Sequence, residues 1–133
     1  MVLGQTCLHH FIKAQAEKTP TRLAVVSQED EKSYSELDRE SDALSVYLRQ
    51  HGVSPDDRVG IFMEPCAAYI VACIGALKAG GAFMPMALDS PDDLLKNILE
   101  MSKPKAIITT ELHSSRLNPG PDTHVFLIDM DST

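Results

Sequence analysis

Residues Arg58 to Pro85 read RVGIFMEPCAAYIVACIGALKAGGAFMP, and this stretch decides the fold. Arg58 to Met63 is a short continuous apolar run bounded by polar turns, the pattern of a buried parallel strand. Pro65 suits the first turn of a helix, where its missing N–H costs nothing. From Ala67 to Ala79 the only charge is Lys78. A helix apolar nearly all round must be packed on more than one side. Gly80-Gly81 stops it, and Ala82 to Met86 returns as a strand whose regular part ends at Pro85. Strand, helix and strand in that order predict an α/β domain with a largely parallel sheet.

The flanking sequence extends the same alternation. Upstream, Leu8, Phe11, Ile12 and Ala16 recur at helical spacing, and Thr19-Pro20 ends that helix. Leu23 to Val26 reads as a strand, Gln28 to Glu31 as a turn, and Lys32 to Tyr34 as a hairpin partner. Ser35, with Asp38 three residues on, is read as the cap of the next helix. Leu37, Leu44 and Leu48 mark its buried face, while Glu36, Arg39, Glu40 and Arg49 face water and Gly52 closes it. Downstream, Ser90-Pro91-Asp92-Asp93 supplies a cap, a first-turn proline and acids for the positive end of the dipole. Leu94, Leu95, Ile98 and Leu99 form that helix's apolar face, Pro104 closes it, and Ala106 to Thr109 makes another strand. A polar stretch holding Asn118-Pro119-Gly120-Pro121 leads to a last strand, Val125 to Ile128. The expectation is one α/β domain over residues 1–133: a mainly parallel twisted sheet, helices on both faces, and a hairpin near the start.

Composition narrows the function. Hydrophobic residues at 44% and charged residues at 23% suit a globular domain, and a formal charge of -7 repels a phosphate backbone. Nucleic acid is therefore excluded as a partner. Cys7, Cys66 and Cys73 are an odd set without CxxC spacing. The last two share a helix roughly 10 Å apart, beyond disulfide reach. The first residues lack a basic segment followed by an apolar core, and Ala67 to Leu77 is too short to span a bilayer, which needs about 20 residues. A reducing, cytoplasmic location follows as the expectation.

Two segments carry a family resemblance. Ser33-Tyr34-Ser35-Glu36-Leu37 is similar to the (L/S)-(T/S)-Y-x-E-L motif of nonribosomal peptide synthetase adenylation domains and their acyl-CoA synthetase relatives. Leu77-Lys78-Ala79-Gly80-Gly81-Ala82-Phe83-Met84-Pro85 resembles that superfamily's L-K-A-G-x-A-Y-x-P motif almost position by position. Asp57-Arg58-Val59-Gly60-Ile61 and Lys103 to Ile108 are similar to strands of the same subdomain, and the likeness runs from Cys7 to Asp129. After Pro85 the chain departs: Ala87 stands for the usual Asp, Leu88 for the next Pro, and Leu94 for the usual Arg. A stand-alone synthetase or an adenylation–reductase fusion is then as compatible as a peptide synthetase module.

The resemblance implies the N-terminal, incomplete part of an AMP-forming acid–thiol ligase, with catalytic core and C-terminal lid absent. The intact parent would use ATP and Mg²⁺ to turn a carboxylic or amino acid into an acyl-adenylate, then pass it to phosphopantetheine or CoA. The other partner implied is the remainder of the adenylation domain.

The matching motifs have structural work to do. Tyr34 and Leu37 would lock the hairpin to its helix, Lys78 would complement a helix C-terminus, Gly80-Gly81 would allow positive φ, and Pro85 would end a strand that needs no donor. The phosphate cradle, similar to T-S-G-S-T-G-x-P-K-G in the family, has no counterpart here, nor do GxxxxGK(S/T) or GxGxxG. Gly80-Gly81 follows a helix and precedes a strand, the reverse of what an anion site at a helix N-terminus needs. The remaining candidates read as structure: His9 and His10 diverge by about 100° on a helix, Asp92 and Asp93 serve a helix dipole, Asp129 and Asp131 resemble D-x-D only superficially, and Cys66 and Cys73 are core thiols. No catalytic, cofactor-binding or metal residue is assigned, and the chain alone is expected to be inactive. The alternatives are a stand-alone flavodoxin-like binding or regulatory module and, less favoured, a small nucleotide-binding enzyme. An end at Thr133 fits a natural terminus, an interrupted frame or a trimmed chain.

Overall fold

In a computed structural model, residues 8–26 and 31–128 are described. Cys7, most of the turn between Val26 and Glu31, and Asp129 and Asp131 lie outside the described residues, as do the side chains of Leu8 and His9. The elements run α1 Leu8–Lys18, β1 Leu23–Val26, β2 Glu31–Ser33, α2 Tyr34–Gln50, β3 Arg58–Phe62, α3 Ala67–Lys78, β4 Ala82–Pro85, α4 Asp92–Ser102, β5 Ala106–Thr109, α5 Glu111–Ser114 and β6 His124–Leu127. β1 and β2 pair antiparallel. The other four strands form a wholly parallel sheet in the order β4-β3-β5-β6.

Side chains alternate across the central strands, so each strand feeds two cores. On one face Val59, Ile61, Ala106 and Ile108 meet Leu48 of α2 and Ala68, Ala72, Cys73 and Ala76 of α3. On the other, Phe62 and Ile107 meet Leu95 and Leu99 of α4, with Met86. A third cluster joins Ile12, Leu37, Val71 and Ile74, with Tyr34, Ala24, Val25 and Leu77 against it. That cluster explains why α3 is apolar nearly all round: its inner side covers the sheet and its outer side is roofed by α1, α2 and the hairpin. Gly75 lets α2 come close, since a Cβ there would lie 2.7 Å from Leu44 Cδ2. Each fully buried Leu or Ile contributes about 1.5–3 kcal/mol.

Several boundaries differ from the sequence reading, each for a local reason. The cap of α2 is Ser33, not Ser35: the Glu36 amide donates to Ser33 Oγ at 3.1 Å and the Ser33 amide to Glu36 Oε1 at 2.9 Å. Ser33 ends β2 and keeps the extended backbone a cap requires, whereas Ser35 is already helical. That Ser33 amide holds the Glu36 carboxyl below its ordinary range. Glu36 and Glu40 are half-buried rather than solvated: Glu36 folds back to accept from the Ser33 amide, and Glu40 pairs with the buried Lys32 at 3.0 Å. Pro65 precedes α3 by two residues, with Cys66 at the cap position. Pro91 takes the cap position of α4, one residue later than expected, and Leu94 is 47% exposed because it points away from the sheet-facing pair Leu95 and Leu99. The short α5 lies in a stretch that reads as polar loop; four residues leave no periodicity to detect.

Candidate functional site

The sheet order places a topological switch between β3 and β5. After β3 the chain turns to the face covered by α3, while after β5 it passes through α5 to Leu117, which packs on the opposite face beside Phe62 and Ile107. Two adjacent strands whose continuations part to opposite faces leave a crevice at their carboxyl ends, where ligands of open α/β sheets bind. A cleft of about 380 Å³ occupies that place, lined by Glu64 after β3, Thr110, Glu111, Leu112 and His113 after β5, and Leu127 and Ile128 at the end of β6.

The site's polar groups are held but not satisfied. Thr109 Oγ1 donates to the Phe62 carbonyl at 2.6 Å, tying β5 to β3 directly beneath the crevice. The next residue, Thr110, is 8% exposed, yet its Oγ1 has no hydrogen-bond partner among the described residues. His113 packs edge-on to Phe62 with ring centroids 6.0 Å apart. Its Nε2 is buried and 3.5 Å from Glu64 Oε1, within ion-pair range but without hydrogen-bond geometry. Leaving such atoms unpaired costs about 1–3 kcal/mol each.

Two other clefts are less suited to chemistry. One of about 590 Å³ lies at the opposite end of the sheet between α4 and residues 118–123, with Lys96, Lys103 and Lys105 set against Glu100 and Asp122. Its mixed charge and place at the amino ends of the strands favour neither anion nor substrate. The other, about 300 Å³, lies against β6, where the His51 and His124 rings meet at 4.5 Å and the Tyr47 and Phe126 rings at 5.2 Å.

The residues singled out from sequence are scattered. Gly80 does take φ +89°, whereas Gly81 is needed for space: a Cβ would lie 2.9 Å from the Asp57 carbonyl. The amides of Gly80, Gly81 and Ala82 donate to Leu77, Ala76 and Asp57 at 3.0, 3.0 and 2.8 Å, so this turn has no N–H to offer a triphosphate. Lys78 lies in the last turn of α3, but its amine is directed at α2, 2.7 Å from Asp38 Oδ1 and 2.7 Å from Asp42 Oδ1. His10 lies exposed on α1, and Asp92 and Asp93 sit exposed at the start of α4, with Asp92 3.0 Å from Arg116. Arg116 also donates to the carbonyls of Leu88 and Ser90, tying down the loop where the sequence departs from the family pattern. Cys66 and Cys73 are buried thiols, and burial pushes Cys73 up to about 11. No group of three His, Cys, Asp or Glu side chains among the described residues could hold a metal, and no helix among them is long and apolar enough to cross a membrane. Sequence reasoning misses Glu64, Thr110 and His113, for they share no motif and meet only through the β3–β5 pairing.

A parallel sheet with helices on both faces, a helix–Gly–Gly–strand corner and a switch-point crevice define a doubly wound α/β subdomain. The chain belongs to the AMP-binding enzyme family, whose sequence model matches residues 12–133. It is 31% identical over 130 residues to polyketide synthase PksN of Bacillus subtilis, covering 98% of this chain and 2% of that one. It is 37% identical over 124 residues to a linear gramicidin synthase of Brevibacillus parabrevis, covering 93% and 2%. Against AmbB, an antimetabolite synthetase of Pseudomonas aeruginosa, identity is 41% over 93 residues, covering 70% and 7%. Among solved structures, the nonribosomal peptide synthetase FmoA3 superposes with a TM-score of 0.86 at 32% identity, covering 95% of this chain and 14% of that one. The N-terminal subdomain of NpsA from Klebsiella oxytoca shares the fold, with a TM-score of 0.74 at 20% identity over 90% of this chain and 29% of that one. The chain thus spans only a small fraction of the length of the relatives it matches.

Proposed function

We propose that residues 1–133 are the N-terminal part of an adenylation domain, and that the chain serves as framework rather than as catalyst. The whole domain would activate a carboxylic or amino acid with ATP and Mg²⁺ as an acyl-adenylate and pass it to a phosphopantetheine or CoA thiol, in the cytoplasm. The observation that carries this reading is the α3–β4 corner. Its residues Leu77 to Pro85 follow the family motif, and its amides are consumed within the fold. On this reading the chain holds no catalytic, ATP-binding or metal residue; the groups that stabilise a pentavalent phosphoryl centre come from the rest of the domain.

The test uses ATP–pyrophosphate exchange. FmoA3 has been captured with α-methyl-L-serine-AMP. Replacing the matched part of FmoA3 with this chain is expected to give a graft that exchanges pyrophosphate in response to α-methyl-L-serine, while the 133-residue chain alone gives none. Exchange by the isolated chain would overturn the framework role. A stand-alone binding module is the second reading, and it predicts a monomer that folds cooperatively by itself.

A further inference from the structure

We propose that the outer flank of α4 is a docking strip for an amphipathic helix that carries lysine or arginine beside its apolar seam. Leu94, Ile98 and Met101 stand at positions i, i+4 and i+7 of α4, which places them in one row along the helix. Leu94 is 47% and Met101 84% exposed, while Ile98 is half-buried against the Phe62 core. A second row, Asp93, Asn97 and Glu100, runs beside the first one residue behind, and all three are exposed. Neither acid takes part in a salt bridge among the described residues, in contrast to Asp92, which Arg116 holds at 3.0 Å. Lys96 lies further round the helix, away from the apolar row.

An apolar seam of this spacing with charge along one edge is a surface that a second helix recognises: the seam supplies burial, and the edge sets the sign of the partner. Here the edge is acidic, so the complementary helix is basic. A second copy fails that condition, because two such helices packed antiparallel about a twofold axis bring acid row against acid row. The remainder of an adenylation domain is not the occupant the sequence points to either. Leu94 stands where the family pattern carries Arg, and a cover common to the family gives no reason to put a leucine there. An arginine would also repel a basic partner, so Leu94 adds apolar area and removes an opposing charge in one step. The strip goes beyond the framework role proposed above and does not depend on it.

The probe is a synthetic Leu/Ala/Lys helix of about 18 residues, five turns, with lysines beside its leucine seam, and a twin with glutamates in place of the lysines. The 133-residue chain is expected to bind the lysine peptide and not the twin, with NMR amide shifts centred on α4. Leu94→Arg should weaken binding about tenfold, and Glu100→Lys about threefold. Both positions are exposed, so the fold tolerates the changes. Leu112→Arg makes the same change of charge at an exposed leucine outside α4 and should leave the affinity where it was. Equal weakening by Leu112→Arg and Leu94→Arg would show only the general pull of a chain of formal charge -7 on a basic peptide, and the strip would be wrong. Sedimentation of the chain as a dimer that Leu94→Arg dissociates would make a second copy the occupant and overturn it as well. So would loss of peptide binding in the FmoA3 graft, since the rest of the domain would then cover α4. Peptide binding by a graft that exchanges no pyrophosphate sinks the functional proposal alone, whereas exchange without peptide binding sinks the strip alone.

Discussion

The two ends of the four-stranded sheet are built differently. At the amino end backbone bonds join the start of each strand to a neighbouring segment. The Asp56 amide donates to Gly80 at 3.0 Å, Ala82 to Asp57 at 2.8 Å, Lys105 to Arg58 at 2.8 Å and His124 to Lys105 at 3.0 Å. Side chains add to this, with Arg58 reaching the Ser102 carbonyl at 2.9 Å and Thr123 the Pro104 carbonyl at 2.7 Å. At the carboxyl end the strands finish in a cleft with unmet polar atoms and exposed leucines. One end is laced by backbone bonds between strand starts, and the other opens into a cleft at the switch point. The contrast teaches that the motif Leu77 to Pro85, lying mostly at the laced end, reports on framework, while the cleft at the other end carries no motif.

Breaking the laced end should be costly, and Lys78→Met is the severest test. Lys78 is 7% exposed in its side chain and holds Asp38 and Asp42 of α2 against the end of α3. Removing it leaves Asp38, itself only 17% exposed, with Lys13 at 3.8 Å as its remaining cation. A loss of about 2–3 kcal/mol is expected, between the values for exposed and fully buried pairs. Urea denaturation reads it directly, and a loss no larger than a surface pair's would show that this corner is not the clamp described.

Gly81→Ala comes next. Its new Cβ would press on the Asp57 carbonyl at 2.9 Å and on Val59 Cγ2 at 3.2 Å, and backbone on one side cannot turn away. About 1–2 kcal/mol is expected, as for other forced additions to packed sites. Gly120→Ala is the control within the same sheet end, since nothing lies within 4 Å of a Cβ there. Similar midpoints for the two variants would erase the distinction between packed corner and open loop.

How much of this is legible in the sequence differs between the same two ends. Strands β3, β4 and β5, the apolar helix α3 and the Gly80 turn follow from local periodicity and from residues whose backbone preferences are strong. Ser33 escapes detection as a cap because Ser35 offers the same chemistry two residues later, and only the end of β2 decides between them. Lys78 reads as a dipole partner, since sequence cannot show that Asp38 and Asp42, one turn apart on another helix, face it. Glu64, Thr110 and His113 are invisible for a stronger reason. Their meeting depends on strand order, and nothing local specifies that β5 returns to lie beside β3 rather than beside β4.

The smallest effect sharpens the comparison from inside α3, which links the two ends. Burial pushes the Cys73 thiol up to about 11 from an ordinary value of 9.0, so the folded chain keeps a proton that the unfolded chain gives up sooner. The stability this contributes is therefore intact below about pH 9 and drains away as pH rises towards 11. Tyr69, raised by the same burial, drifts in the same direction, so the measurement has to be a difference. Relative to Cys73→Ala, the parent should hold a constant stability offset from pH 7 to 9 and lose ground steadily above it. Native Cys73 should also react with a thiol reagent at pH 8 far more slowly than the urea-unfolded chain, because both thiolate and access are withheld. An offset that stays flat to pH 11, or labelling as fast as in urea, would mean that α3 is looser along its length than its packing on both sides requires.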